Sequence, residues 1–366
     1  MRNWRAKSAA IVAVSALALT ACGGGDGDNG DKGGDGKGTE GGSSLSGTVT
    51  GAGASFPATV FQDWIAAYQG DKSGVTVNYQ SVGSGTGVEQ FIGQSIDFGS
   101  SEEYLSDEAL ADAEAARGCP AVQFPVVFGS VAIAFNDPAL DGLVLSPEVI
   151  SSIYDREITN FNDPAIADLN PDFDLPDQDI LPVHRSDSSG TTFVFSHYLT
   201  TEVPAWADTY GEGKEIEWSG DTIGGEGNEG VSQQISQNPG GIGYVNQSYA
   251  LELGLPTAKV VNADGEAIAP TLEATTAASE EAEIPDTFQF TINGVGGEGY
   301  PIAGTNFILA YTCGYDDATA DIIKDFWSWT LTEDADALAL ELGYAPLGAD
   351  LKERVQAQID LINSQG

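Results

Sequence analysis

The sequence predicts an α/β protein with mixed, mostly parallel sheets and flanking helices, on three observations. Short β-rich runs alternate with segments of helical periodicity along the chain. Three Gly/Ser-rich turns each follow such a run and lead into a helical segment. Past a low-complexity N-terminal stretch about 320 residues remain, with large apolar side chains throughout, which exceeds one ordinary core and implies two domains.

The chain opens with Arg2, Arg5 and Lys7, an apolar run from Ala9 to Leu19, and Leu19-Thr20-Ala21-Cys22, which has the form of a lipobox. Residues 1–21 therefore read as a lipoprotein signal peptide, and Cys22 as the lipidated first residue of the mature chain. The apolar run is too short for a bilayer core of about 30 Å, so an acyl anchor on the outer face of the bacterial membrane is expected instead. Residues 22–45 are mostly Gly, Asp, Lys, Ser and Thr and bury too little apolar surface to offset their chain entropy. They predict a flexible tether.

Leu45 to Thr50 reads as the first strand, and Gly51 to Pro57 as the turn into a helix that starts at Pro57. Val60, Trp64, Ala67 and Tyr68 recur at i, i+4, i+7 and i+8 and give that helix one buried face. Val75–Tyr79 is a second strand, Ser81 to Gly87 a second Gly/Ser turn, and Val88–Ile92 the helix behind it. Ile96–Phe98 is a third strand, followed by Gly99, Ser100, Ser101 and Glu102. Asp179–Val183 leads through the turn Arg185 to Thr192 into a buried helix at Phe193–Leu199. Phe307–Tyr311 is a buried strand, and Leu351, Val355, Ile359 and Ile362 mark a terminal helix.

Arg185-Ser186-Asp187-Ser188-Ser189-Gly190-Thr191-Thr192 places a guanidinium and several hydroxyls where a helix begins. Free N–H groups and the positive end of the helix dipole make such a turn a seat for an oxyanion. The turns at Gly51 and Ser81 repeat the pattern. Asp187 is spaced to pair with Arg185 and fix its orientation. A carboxylate after the third strand fits an anion pocket only if the anion carries a proton to donate, as phosphate does and sulfate does not.

Other chemistries find little support. With 55 acidic residues against 14 basic ones the formal charge is −41, which argues against nucleic acid and reads as a solvated acidic surface. Its field is screened within roughly 8 Å at physiological salt, so a locally positive cleft still works. Gly225-Glu226-Gly227-Asn228-Glu229-Gly230 satisfies GxGxxG, but its acidic residues would repel a pyrophosphate, and it reads as a loop. His184 and His197 are the only histidines and no Cys/His cluster exists, so neither a metal nor a cofactor is expected. His184, Asp187 and Ser189 are too close in sequence to build a catalytic triad. Once Cys22 is set aside, Cys119 and Cys313 remain, either as a disulfide or as two separately buried thiols.

Taken in order, Gly51 to Pro57, Asp97-Phe98-Gly99, Gln123-Phe124-Pro125, Arg185 to Phe193, Gly225-Glu226-Gly227-Asn228 and Gly241 to Val245 resemble motifs of the phosphate-binding proteins that serve the high-affinity phosphate ABC transporter. The resemblance runs from about residue 46 to the C-terminus. It implies a two-domain periplasmic-binding-protein fold of type II with a two-segment hinge, domain I comprising 46–127 and 300–366 and domain II 128–299. Inorganic phosphate would lie dehydrated between them. By the same resemblance Ser55, Phe56 and Ser84 would bind it from one side, and Arg185, Ser189, Gly190 and Thr191 from the other, with Asp187 bracing Arg185. Glu102 stands where the family has an Asp that accepts the phosphate proton, and the expectation is that the loop shifts to fit the extra methylene. Cys119 and Cys313 would share domain I, which favours their bridge. The function implied is a monomeric, non-enzymatic, lipid-anchored extracytoplasmic solute-binding protein that passes phosphate to permease subunits. The alternatives are a secreted phosphatase, which would need a metal or an activated nucleophile, and an adhesin or sensor on the same fold.

Overall fold

The computed structural model describes residues 45–292 and 294–365. The signal peptide, Cys22 and nearly all of the tether lie outside the described residues. Eleven strands are found among the described ones: β1 (Gly47–Gly53), β2 (Val75–Ser81), β3 (Phe98–Ser101), β4 (Ala121–Phe135), β5 (Val144–Leu145), β6 (Leu181–Arg185), β7 (Ile223–Gly225), β8 (Gly241–Asn246), β9 (Lys259–Val261), β10 (Ala267–Ile268) and β11 (Ala303–Tyr311). Eight form one sheet in the order β2-β1-β3-β11-β4-β8-β6-β7, and β10-β9-β5 form a small second one.

The sheet is mixed because its middle differs from its ends. β2, β1 and β3 run parallel, as do β8, β6 and β7, whereas β11 and β4 pair antiparallel with each other and with their outer neighbours. The 15-residue β4 joins the two ends: its residues 121–130 pair with β11 and its residues 131–135 with β8. It is an apolar run buried along nearly its whole length, as a strand covered on both faces must be. Pro125 is tolerated in this central strand because the register slips there, Asn306 facing Val127 and Phe307 facing Pro125.

Each parallel end is covered by helices from its own connections. The helix Ala58–Asp71 buries Val60, Phe61, Trp64 and Tyr68, and Phe61 meets Trp327 of the helix Asp317–Trp329 at 5.4 Å between ring centroids. Cys119 and Cys313 are joined in a disulfide with Cα atoms 6.0 Å apart, tying the adjacent ends of β4 and β11. Among the described residues no helix is long and apolar enough to cross a membrane.

Several boundaries differ from the sequence reading. β3 starts at Phe98 rather than Ile96, because Asp97 clasps β1 from the side, its carboxylate accepting from the Thr50 N–H at 2.8 Å. β6 ends at Arg185, two residues beyond Val183, so the guanidinium sits on the last residue of a strand. The segment Gly225 to Gly230 is not a loop. Gly225 ends β7 and Gly227 opens the helix Gly227–Gln237, which crosses over to β8, a fourth strand-to-helix turn of the same kind as the three foreseen. Ile362 lies beyond the last helix, Ala349–Ile359, yet is buried.

Candidate functional site

The carboxyl ends of β1, β2, β6 and β7 all point at one place, which is where open α/β sheets bind ligands. Four turns converge there: 54–57 from β1, 82–83 from β2, 186–189 from β6 and 226 from β7, each leading into a helix. Ser55, Ser84, Glu102, Arg185, Ser189, Thr191 and Asn228 all come together at this point and none is more than 4% exposed. Asp97, by contrast, lies at the far end of β3.

Arg185 is the buried cation. Its Nε donates to Asp187 Oδ1 at 2.7 Å, Nη2 donates to Asp187 Oδ2, and Nη1 reaches Thr191 Oγ1 at 3.3 Å. A guanidinium carries five N–H groups, so two remain for a ligand. Asp187 Oδ1 also accepts from the Gly227 N–H at 3.1 Å, and Arg185 together with this bond holds its carboxyl below the usual range against the opposing effect of burial. Asp187 thus bonds both Arg185 and the β7 turn.

The hydroxyls are arranged as donors. Ser55 Oγ accepts from the Asn228 backbone N–H at 3.0 Å and from Asn228 Nδ2 at 2.8 Å. Thr191 Oγ1 accepts from Arg185 Nη1 and from Asn228 Nδ2 at 3.0 Å. With both lone pairs of each oxygen engaged, what Ser55 and Thr191 have left to offer is a proton. Ser189 caps its helix, its Oγ accepting from the Thr192 N–H at 3.1 Å. Converging O–H and N–H donors around a buried guanidinium at a helix start make a site for an oxyanion.

Glu102 is the exception to this donor-rich lining. Ser84 Oγ donates to its Oε2 at 2.6 Å while accepting from the Gly190 N–H at 3.2 Å, and Oε1 is buried without a hydrogen-bond partner. Burial pushes the carboxyl up to about 7, opposed by the Ser84 bond and the Arg185 charge. Gly190 is required at the start of its helix, since a Cβ there would lie 1.6 Å from Glu102 Oε2 and 2.5 Å from Ser84 Oγ. Gly83, at φ 86°, is needed on both counts, conformation and room, because a Cβ would meet Asp187 Oδ2 at 2.5 Å.

The two ends of the sheet are stitched across this point. The Gly85 N–H donates to the Ser188 carbonyl at 3.0 Å, Tyr249 OH donates to the Ser55 carbonyl at 2.6 Å, and Lys214 pairs with Glu103. Asn228, which the sequence reading passed over as a residue in its own right, is the main link, since its Oδ1 also accepts from the Asn246 N–H at 2.9 Å. The available signal was its turn, Gly-Glu-Gly-Asn, whose glycines match the strand-to-helix pattern of the other three. Phe56 is fully buried, its carbonyl accepting from Tyr344 OH. His184 stacks on Trp218 at 4.9 Å between centroids and bonds through Nδ1 to the Arg185 carbonyl, so it is not part of a nucleophile's relay. Among the described residues no three His, Cys, Asp or Glu side chains gather as metal ligands.

A mixed sheet in two arms, bridged by a long strand, with an anion seat at the junction of the turns, defines a solute-binding protein of the periplasmic-binding-protein class, type II. The model of the PBP superfamily domain matches residues 38–334. The chain belongs to the family of the phosphate-binding proteins PstS. It is 37% identical over 316 residues to the phosphate-binding protein PstS of Pasteurella multocida, covering 85% of this chain and 89% of that one. The corresponding protein of Haemophilus influenzae is 35% identical over 316 residues, with 85% and 92% covered. A high-affinity periplasmic phosphate-binding protein solved with phosphate shares the fold at a TM-score of 0.72 and 21% identity, over 85% of this chain and 93% of that one.

Proposed function

We propose that this chain is an extracytoplasmic solute-binding protein, not an enzyme, that takes inorganic phosphate between the two arms of its sheet and delivers it to the permease subunits of an ABC transporter. The observation that carries the reading is the hydroxyl pair Ser55 and Thr191, whose acceptor capacity is filled so that only O–H groups face the same centre as the two spare N–H groups of Arg185. Backbone N–H groups at Ser55, Phe56 and Thr191 and the Ser189 hydroxyl complete the proposed ligand set, joined by the Ser84 hydroxyl and the Gly190 N–H once the anion displaces the bonds that these two make to Glu102 and to Ser84. Glu102 is the acceptor for the phosphate proton and the reason sulfate is refused. Domain I (46–127 and 300–366) and domain II (128–299) would close on the anion about β4 and the return segment into β11.

Calorimetry of the purified protein against phosphate, arsenate and sulfate tests this. Phosphate is expected to bind tightly and sulfate not at all; tight sulfate binding, or silence with phosphate, overturns it. We further propose a monomer held to the membrane by acylated Cys22. Cys22→Ser should then release the chain from the detergent phase in which the parent protein partitions, and continued partitioning would refute the anchor.

A further inference from the structure

Outside the groups proposed to touch the anion, one ion pair spans the two arms of the sheet: Lys214 Nζ pairs with the Glu103 carboxylate. Glu103 follows Glu102 just past the end of β3, and Lys214 lies between the helix Pro204–Thr209 and β7. Each backbone is fixed to its own arm. The Lys214 carbonyl accepts at 2.9 Å from the N–H of Ser189, the cap of the helix Gly190–Glu202. The Gly213 N–H donates to Ser196 Oγ of that helix at 3.0 Å, and the Gly211 carbonyl accepts from Trp206 Nε1 at 3.0 Å. Opposite, the Glu103 N–H donates to Ser101 Oγ at 3.1 Å, and Ser101 Oγ donates to the Glu103 carbonyl at 2.6 Å. Only the two charged side chains cross between the arms, so parting the arms breaks this contact and leaves both backbones in place. Arg354 and Asp286 also link the two proposed domains, but on the return segment ahead of β11 and with a fully exposed carboxylate.

We propose that Lys214 and Glu103 form a latch that exists only while the arms are closed, and that it lengthens the stay of the bound anion without touching it. The proposal rests on the phosphate reading above and adds two positioning residues to it. A buried anion leaves only after the arms part, and the latch stabilises the closed form relative to the open one. Breaking it therefore raises the rate of release, while capture, which begins from the open form, stays nearly unchanged.

In a chain of formal charge −41 a lysine beside the site could instead act as a lure, its field drawing anions in. The pairing speaks for the latch, because the ammonium is already matched by a carboxylate. With the Lys214 and Glu103 side chains 26% and 32% exposed, the pair is partly solvated, so its effect is a small factor that salt weakens further.

The test follows radiolabelled phosphate, both its capture and its release into an excess of unlabelled phosphate. It compares the parent protein with Lys214→Met, Glu103→Gln and the double variant, with melting curves to confirm folding. Each single variant alone breaks the pair, so one that melts like the parent suffices. Release is expected to quicken about two- to fivefold in each, with capture within about 1.5-fold of the parent. The double variant should release no faster than either single one, since one interaction is lost only once. The quickening should fade toward none as ionic strength rises from about 0.01 to 1 M, a dependence that a merely structural role would not show. Glu103→Gln separates latch from lure, because it leaves the lysine's charge unmatched: faster release supports the latch, and faster capture or tighter binding overturns it. Release at the parent's rate in both single variants overturns it too, with phosphate binding intact. A parent protein that retains no label overturns the functional reading on which the latch stands.

Discussion

Arg185 on one wall of the cleft and Glu102 on the other are both buried ionisable groups, but they are held very differently. Arg185 is gripped by two bonds to Asp187 and one to Thr191, and Asp187 is gripped in turn by the Gly227 N–H. Its orientation is settled before any ligand arrives, and its spare donors point where the helix start already favours negative charge. Glu102 has one donor, Ser84, and one oxygen with none. The difference teaches a division of labour for the proposed site: the braced cation, with two N–H groups to spare, would supply affinity, and the half-paired acid would supply discrimination, because a carboxylate accepts from an anion that carries a proton and repels one that does not.

The sharpest way to break that division is Arg185→Ala. Truncating one partner of a buried charge pair costs 2–5 kcal/mol or more, so phosphate affinity should fall by roughly 30-fold to several thousand-fold. Asp187 would also be left as a buried carboxylate with only the Gly227 N–H, and the ligand-free protein should lose stability on the same scale. Calorimetry and denaturant melts read the two effects separately. Affinity within threefold of the parent would show that the cation wall is not the seat of binding.

How much of this was legible beforehand follows from distance along the chain. The strand-to-helix turns at Gly51, Ser81 and Arg185 and the Arg185–Asp187 pair are local chemistry, so glycine placement and i, i+2 spacing sufficed to find them. The strand ends were less legible, since β3 is shortened by a side chain, Asp97, taking the N–H of Thr50 on a neighbouring strand. The fourth turn was misread because Glu226 and Glu229 made it look hostile to anions. In the fold Glu229 turns to accept from Tyr249 OH at 3.1 Å, and it is the backbone of that turn that meets Asp187. Least legible was a contact made only by folding, Asn228 joining Ser55 to Thr191. The glycines of its turn were visible in sequence but its partners were not, because they depend on how the helices pack against the central strands.

A smaller effect sharpens the other wall. Burial raises Glu102 from an ordinary value of 4.5 to about 7, so its contribution to folding runs opposite to that of a paired carboxylate. Below pH 4.5 the group is protonated in both folded and unfolded chains and contributes nothing. As the pH rises from 4.5 to 7 the unfolded chain gives up the proton while the folded one keeps it, so the ligand-free protein loses stability. Above 7 the loss is complete, on the order of 3 kcal/mol at most. Glu102→Gln keeps an acceptor for the Ser84 hydroxyl but never ionises. Its denaturation midpoint should therefore match the parent's near pH 4 and exceed it increasingly toward pH 8, by about 1–3 kcal/mol in stability. The same variant should bind phosphate less selectively against sulfate, since its amide repels neither anion. If the two stability curves stay parallel across that range, Glu102 is not held near its titration point, and the asymmetry between the walls loses its physical basis.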